Sequence, residues 1–156
     1  MQLSNNKKIY FASDQHFGAP TPELSFPREQ KFVAWLDEVK IDAEAIFLLG
    51  DLFDFWFEYK TVVPKGFIRV LGKLAEIRDS GIPIYFFVGN HDLWMDDYFQ
   101  KELNIPVFHD NQEFTFGDKT FLIGHGDGKG PGDMGYKRMK KVFTNPFSKW
   151  LFRWLH

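Results

Sequence analysis

Short apolar runs recur along the chain, and each ends on a small residue followed by groups that bind metals or move protons. Ile9-Tyr10-Phe11-Ala12-Ser13 leads into Asp14-Gln15-His16, and Ile46-Phe47-Leu48-Leu49-Gly50 leads into Asp51-Leu52-Phe53-Asp54. Ile84-Tyr85-Phe86-Phe87-Val88-Gly89 leads into Asn90-His91-Asp92, and Phe121-Leu122-Ile123-Gly124 leads into His125-Gly126-Asp127. A short apolar run bounded by a turn signal reads as a strand covered on both faces. Between the runs the apolar positions take helical spacing. Phe32, Val33, Leu36 and Val39 predict a helix from Pro27 to about Lys40, after a loop rich in turn residues through Gly18, Pro20 and Pro22. Phe67, Val70, Leu71, Leu74 and Ile77 predict another from about Pro64 to near Gly81, and a short one follows over 95–103. Val107 and Phe108 come next, and then a hairpin of 113–116 and 120–123 turning at Gly117-Asp118. The order βαβαβ followed by strands predicts an α/β fold, with one mixed sheet and helices packed against it.

In open α/β sheets, ligands bind beyond the carboxyl ends of the strands. Asp14, His16, Asp51, Asn90 and His125 would all gather there. A single Asp after a strand is usually a cap or a turn residue. The same placement on four runs is what turns these residues into a candidate site. Carboxylate, imidazole and amide oxygen without sulfur suit Mn²⁺, Fe or Zn²⁺. A carboxylate can bridge two ions about 3.5–4 Å apart, and such a pair acidifies a bound water and clamps phosphoryl oxygens. Asp51 follows the run expected to be central and is the bridging candidate. His109, beside Asp110 and Asn111, lacks such company and reads as a loop residue.

Composition narrows the classes. The 156 residues are 44% hydrophobic and include 19 Phe, so a core is easily filled and disorder is excluded. No cysteine is present, which removes disulfides, thiolate metal sites and cysteine nucleophiles. No apolar stretch approaches the roughly 18 residues of a membrane span, and the polar start of the chain predicts no secretory leader. The net charge of −2 conceals an asymmetry: all 21 acidic and 13 of the 19 basic residues lie in 1–133, while 134–156 carry six bases and no acid. Two regions follow, a core over 1–133 and a basic tail over 134–156.

These residues resemble the calcineurin-like metallophosphoesterases, whose motifs run D-x-H, G-D-x-x-D, G-N-H-D or G-N-H-E, G-H and G-H-x-H. Asp14-Gln15-His16, Gly50-Asp51-Leu52-Phe53-Asp54, Gly89-Asn90-His91-Asp92 and Gly124-His125 supply the first four in order, over residues 8 to about 136. The resemblance implies a sandwich of mixed β-sheets flanked by helices. It also implies two divalent ions, with Mn²⁺ ahead of Fe or Zn²⁺. Asp14 and His16 would hold the first ion, Asp51 would bridge, and Asn90 and His125 would hold the second. His91, oriented by Asp92, would stabilise the phosphoryl transition state or protonate the leaving oxygen, and Asp54 would fix a ligand by hydrogen bond.

A finer similarity, through His125-Gly126-Asp127, Asp133, Gly135-Tyr136 and Trp56, is to the branch acting on UDP-2,3-diacylglucosamine in lipid A synthesis. It implies hydrolysis of a nucleotide-linked lipid at its pyrophosphate, giving UMP and 2,3-diacylglucosamine 1-phosphate at the cytoplasmic side of the inner membrane. Asp133 and Tyr136 would face the glucosamine or nucleotide; Asp127 would join them or serve as a turn residue. Gln15 departs from a usual leucine, and some members of this branch have arginine in place of His91.

The chain ends without G-H-x-H, which in the family gives each ion one more histidine. The expectation is therefore an N-terminal portion whose C-terminal part was cleaved, encoded separately or left out, and which is weakly active or inactive alone. In the tail, Phe143, Phe147, Trp150, Leu151 and Trp154 recur at helical steps among Lys140, Lys141, Lys149 and Arg153, with Pro146 dividing two helices. Such a stripe fits a peripheral membrane anchor, a lid over acyl chains, or a face that packs on further chain. Its bulky apolar groups argue against nucleic acid as the partner of the bases. Competing readings are another metallophosphoesterase, such as a phosphodiesterase or nuclease, and a non-catalytic scaffold, against which the intact ligands speak.

Overall fold

The computed structural model describes residues 4–127 and 140–155. The first three runs become β1 (Lys8–Ala12), β2 (Ala43–Leu48) and β3 (Ile84–Phe87), linked by α1 (Pro22–Val39) and α2 (Ile68–Asp79). Then come α3 (Tyr98–Leu103), a short β4 (Val107–Phe108), β5 (Gln112–Phe116) and β6 (Lys119–Ile123). Helix α1 begins earlier than Pro27 predicts. Thr21 caps it by accepting from the Leu24 amide, and Pro22 stands in the first turn, where no N–H is needed, so Pro27 falls inside the helix. Helix α2 begins later than Pro64 predicts, because Gly66 and Phe67 are both left-handed and hold the chain out of the helix until Ile68. Helix α3 is also shorter than expected: the Asp97 and Tyr98 amides donate to the buried Glu58 carboxylate at 2.8 and 3.0 Å, which sets its start.

The four-stranded sheet is parallel, in the order β1-β2-β3-β4, so the strand leading to Asp51 is internal as expected. Side chains alternate across it. Ile46, Leu48, Ile84 and Phe86 face the helices and join Leu36, Leu74 and Phe99 in the main core. Ala45, Phe47 and Phe87 face the other way. The hairpin does not extend this sheet as predicted. Among the described residues β5 and β6 pair only with each other, and the resulting antiparallel sheet covers the second face. Phe47 meets Phe114 edge-on at 4.9 Å and Phe116 at 5.8 Å. The reason is burial. Parallel strands need both faces covered, and each of Phe47 and Phe87 gains about 1.5–3 kcal/mol by leaving water.

The tail is helical over 140–144 and again in α4 (Pro146–Leu155), where Asn145 Oδ1 accepts the Phe147 amide at 2.8 Å. Phe152 fastens α4 to the body, with ring centroids 4.7 Å from both Phe57 and Trp94. Trp94 Nε1 donates to the Phe143 carbonyl at 2.7 Å. Phe147, Trp150, Leu151 and Trp154 remain exposed. No described helix is long and apolar enough to cross a membrane.

Candidate metal centre

The chain bends sharply where β1 and β2 end. Asp14, His16 and Asp51 all take left-handed backbone, with φ of 57°, 45° and 52°. Each such residue costs roughly 1–2 kcal/mol, and strain of this kind collects at functional sites. The two bends brace each other: the Asp14 amide donates to the Gly50 carbonyl at 3.1 Å and the His16 amide to the Asp51 carbonyl at 2.9 Å. Gly50 is required twice over. Its φ is +89°, and a Cβ there would lie 2.7 Å from both the Gly89 nitrogen and His125 Nδ1.

The carboxylate of Asp51, only 3% exposed, organises what surrounds it. Oδ1 accepts the His91 amide at 2.9 Å. Oδ2 stands between two imidazoles, 3.8 Å from His16 Nε2 and 3.5 Å from His125 Nε2. His16 Nε2 is also 3.9 Å from Asp14 Oδ1, and ligand atoms of Asp14, His16 and Asp51 all lie within 4.8 Å of one another. On the other side, His125 Nε2 is 3.2 Å from Asn90 Oδ1. His125 Nδ1 lies 2.7 Å from the Leu49 carbonyl. A carbonyl can only accept, so that nitrogen carries the proton and Nε2 presents its lone pair, as a metal-binding histidine must. The donor set is oxygen and nitrogen, splits into two groups, and shares one carboxylate oxygen. It fits two hard or borderline divalent ions.

His125 arrives from the second sheet, since the run before it is β6; the first sheet's fourth strand, β4, carries none of these residues. The five expected ligands still converge, from two stacked sheets instead of one edge.

Asp54 and Asp92 divide the work differently from the expectation. Asp92 is fully buried, and its carboxylate accepts the Gly89 amide at 2.6 Å and the Leu52 amide at 3.1 Å. Burial pushes its carboxyl up to about 6, with the Asp51 charge adding and the amide donors opposing. It therefore ties the Gly89-Asn90-His91 turn to the Asp51 turn. The ring of His91 is oriented by Asp54, with Nδ1 2.9 Å from the Asp54 carbonyl and 3.4 Å from Oδ1. Asp54 Oδ1 is also 3.6 Å from His16 Nδ1, and the two rings meet edge to face at 4.6 Å.

A cavity of about 230 Å³ opens beside His91. Asp54, Asn90, His91 and Lys140 are its polar lining; Phe55, Leu93, Trp94 and Phe143 are its apolar lining. Lys140 pairs with Asp127 at 2.8 Å, which links Asp127 to this wall. Sequence reading missed Lys140, Phe55 and Trp94 as lining, because only the packing of the tail on Trp94 creates the wall. Asp133 and Tyr136 lie outside the described residues.

The calcineurin-like phosphoesterase family model matches residues 7–155. The chain belongs to that family. Among its relatives, a UDP-2,3-diacylglucosamine hydrolase from Porphyromonas gingivalis is 41% identical over 150 residues, covering 96% of this chain and 57% of its own length. An Edwardsiella ictaluri protein of the same name is 32% identical over 143 residues, covering 92% of this chain and 53% of its own. This phosphoesterase chain thus spans little more than half the length of the curated relatives it matches. A solved structure from Aquifex aeolicus, of a protein of unknown function, superposes with a TM-score of 0.56 at 21% identity, covering 88% of this chain and 73% of the other. That likeness concerns the fold alone.

Proposed function

We propose that this chain carries the metal-binding half of a hydrolase that cleaves the pyrophosphate of UDP-2,3-diacylglucosamine to UMP and 2,3-diacylglucosamine 1-phosphate. The observation that carries the reading is the shared Asp51 oxygen between His16 and His125; the names of the relatives support the substrate. Two divalent ions, Mn²⁺ first among them, would supply Lewis-acid polarisation of phosphoryl oxygens and acidify a water. Asp14 and His16 would hold one ion, Asn90 and His125 the other, and Asp51 both.

The protein's own groups supply the rest. With Nδ1 committed to the Asp54 carbonyl, His91 keeps Nε2 for a phosphoryl oxygen or the leaving oxygen. Asp92 acts through the two turns it joins. The cavity suits a substrate with a charged and an apolar part, since its polar lining adjoins the ligands and its apolar lining is mostly aromatic. Asp127, through Lys140, and Asp133 and Tyr136 would face the sugar or nucleotide.

The exposed stripe of α4 and the six basic residues of 134–156 support peripheral contact with the cytoplasmic face of the inner membrane. A C-terminal part bearing G-H-x-H would complete each ion's ligands.

The test is UMP release from UDP-2,3-diacylglucosamine by the Mn²⁺-loaded chain, co-expressed with the part of the Porphyromonas gingivalis relative that it does not cover. Release that disappears in Asp51→Ala supports the assignment. Cleavage of a generic phosphodiester without UMP release would reject the lipid and leave a different phosphoesterase.

A further inference from the structure

Helix α1 carries an anomaly for a helix laid against a core: two of its five buried residues are polar, Ser25 and Glu29. Together with Arg28 they face the loop 16–19, which leaves the metal centre. Arg28 Nη2 donates to the His16 carbonyl at 2.8 Å and to the Ala19 carbonyl at 2.6 Å. Ser25 Oγ accepts the Gly18 amide at 2.8 Å, and its hydroxyl points to Glu29 Oε1 at 3.4 Å. The other side of the loop is already tied down, because the His16 and Phe17 amides donate to the Asp51 and Leu52 carbonyls, each at 2.9 Å.

His16 has left-handed backbone, and Gly18 beyond it has φ of +104°. A histidine relaxes readily from that region into the ordinary one, and doing so swings its side chain away from Asp14 and Asp51. Amide bonds to the neighbouring loop restrain one edge of the peptide chain. The carbonyl edge is restrained by one guanidinium nitrogen, Arg28 Nη2, which donates to both oxygens; a lysine ammonium ends one bond shorter and lacks the planar guanidinium that aims this nitrogen.

We propose that Arg28 is a positioning residue for the ion at Asp14 and His16: it clamps the His16 and Ala19 carbonyls and thereby keeps the His16 imidazole on Asp51. The inference rests on the two-metal reading above.

The sign of the effect separates a clamp from simple electrostatics. Arg28 brings a positive charge toward a cation site, so removing that charge would by itself tighten metal binding. Loss of the clamp weakens it. The experiment is calorimetric titration of the full chain with Mn²⁺, comparing wild type, Arg28→Met, Arg28→Lys and Lys31→Met, each checked by circular dichroism. In Arg28→Met, one of two binding events is expected to weaken by about 10–100-fold, the range for groups that orient metal ligands, while the other stays within a few-fold. Lys31→Met, which removes a charge from the same helix, should match wild type or bind slightly tighter. Unchanged or tighter binding in Arg28→Met would overturn the clamp, as would equal weakening of both events, which marks general damage. Should Arg28→Met fail to fold, Arg28→Lys keeps the charge and the stem; a several-fold loss is expected, and wild-type affinity would overturn the proposal. Wild-type protein that takes up no Mn²⁺ would refute the two-metal reading itself, and the clamp with it.

Discussion

Gly89→Ala isolates the contact on which the site depends. A Cβ at Gly89 would lie 2.2 Å from Asp51 Oδ1 and 2.6 Å from the Asp51 nitrogen, far inside van der Waals contact. Gly89 itself lacks the positive φ of Gly50, so alanine adds a clash without added backbone strain. Asp51 is buried and cannot swing into solvent. Either its carboxylate retreats by about an ångström and leaves the His91 amide, or the β2 and β3 ends spread apart. Losing a hydrogen bond to a buried charge costs about 1.5–3 kcal/mol, and overpacking typically costs 1–3 kcal/mol. As alternative routes these put the loss at about 1–3 kcal/mol, a sizeable share of the stability of a domain, and a melting point lower by roughly 2–12 °C is expected. Mn²⁺ uptake should fall with it, because moving the carboxylate also shifts Oδ2, the oxygen that stands between His16 and His125. Gly72→Ala is the control. It lies within α2, its Cβ would meet nothing within 4 Å, and it should raise stability by about 0.5–1 kcal/mol. Thermal melts and Mn²⁺ titrations of the two variants decide the matter. Gly89→Ala with wild-type stability and Mn²⁺ affinity would refute the packing argument.

Further expectations concern ions, pH and the tail. Saturating Mn²⁺ at about a hundred times its dissociation constant should stabilise the chain by about 2.7 kcal/mol for each ion bound; EDTA should remove that gain, and Asp51→Ala should show none, as read by thermal melts. Burial raises the carboxyl of Glu29, with the Ser25 hydroxyl and the charges of Arg69 and Arg28 opposing. The fold then binds this proton more tightly than the unfolded chain, so the ionised group costs stability above its folded pKa, and the cost fades as pH falls toward the usual value near 4.3. Glu29→Gln should accordingly gain stability at pH 7 and lose that advantage by pH 4; a difference from wild type that stays the same across that window would contradict it. Trp150 and Trp154 are 59% and 76% exposed, so replacing both by Glu should leave the melting point unchanged. Co-sedimentation with anionic vesicles should drop at least tenfold, and retention by the double variant would rule out α4 as the membrane face.

The candidate ligands were legible because each stands where an apolar strand must stop. Asp14, Asp51 and Asn90 follow runs that water excludes, and a chain leaving a buried strand places its next polar residues at the sheet edge. Helix α1 was legible in its second half, where Phe32, Leu36 and Val39 keep the period, and misread in its first. There Ser25 and Glu29 turn inward to serve a loop, and no periodic signal reports a polar residue buried for the sake of a partner distant in sequence. The tail's stripe was visible, yet only Phe152, seated on Phe57 and Trp94, tells which side of α4 is inward.

What the amino-acid order determined by itself was the list of elements and the five candidate ligand residues, since both follow from local alternation of apolar and polar positions. Tertiary structure decided the rest. It sent β6 to a second sheet, because Phe47 and Phe87 needed cover. It gave the His91 ring to Asp54 and buried Asp92 between two turns, because amides at 52 and 89 converge only after the strands align. It also set one oxygen of Asp51 between two histidines 109 positions apart in the chain. Hydrophobic patterning acts over a few residues, whereas the direction of a carboxylate depends on every backbone that closes around it.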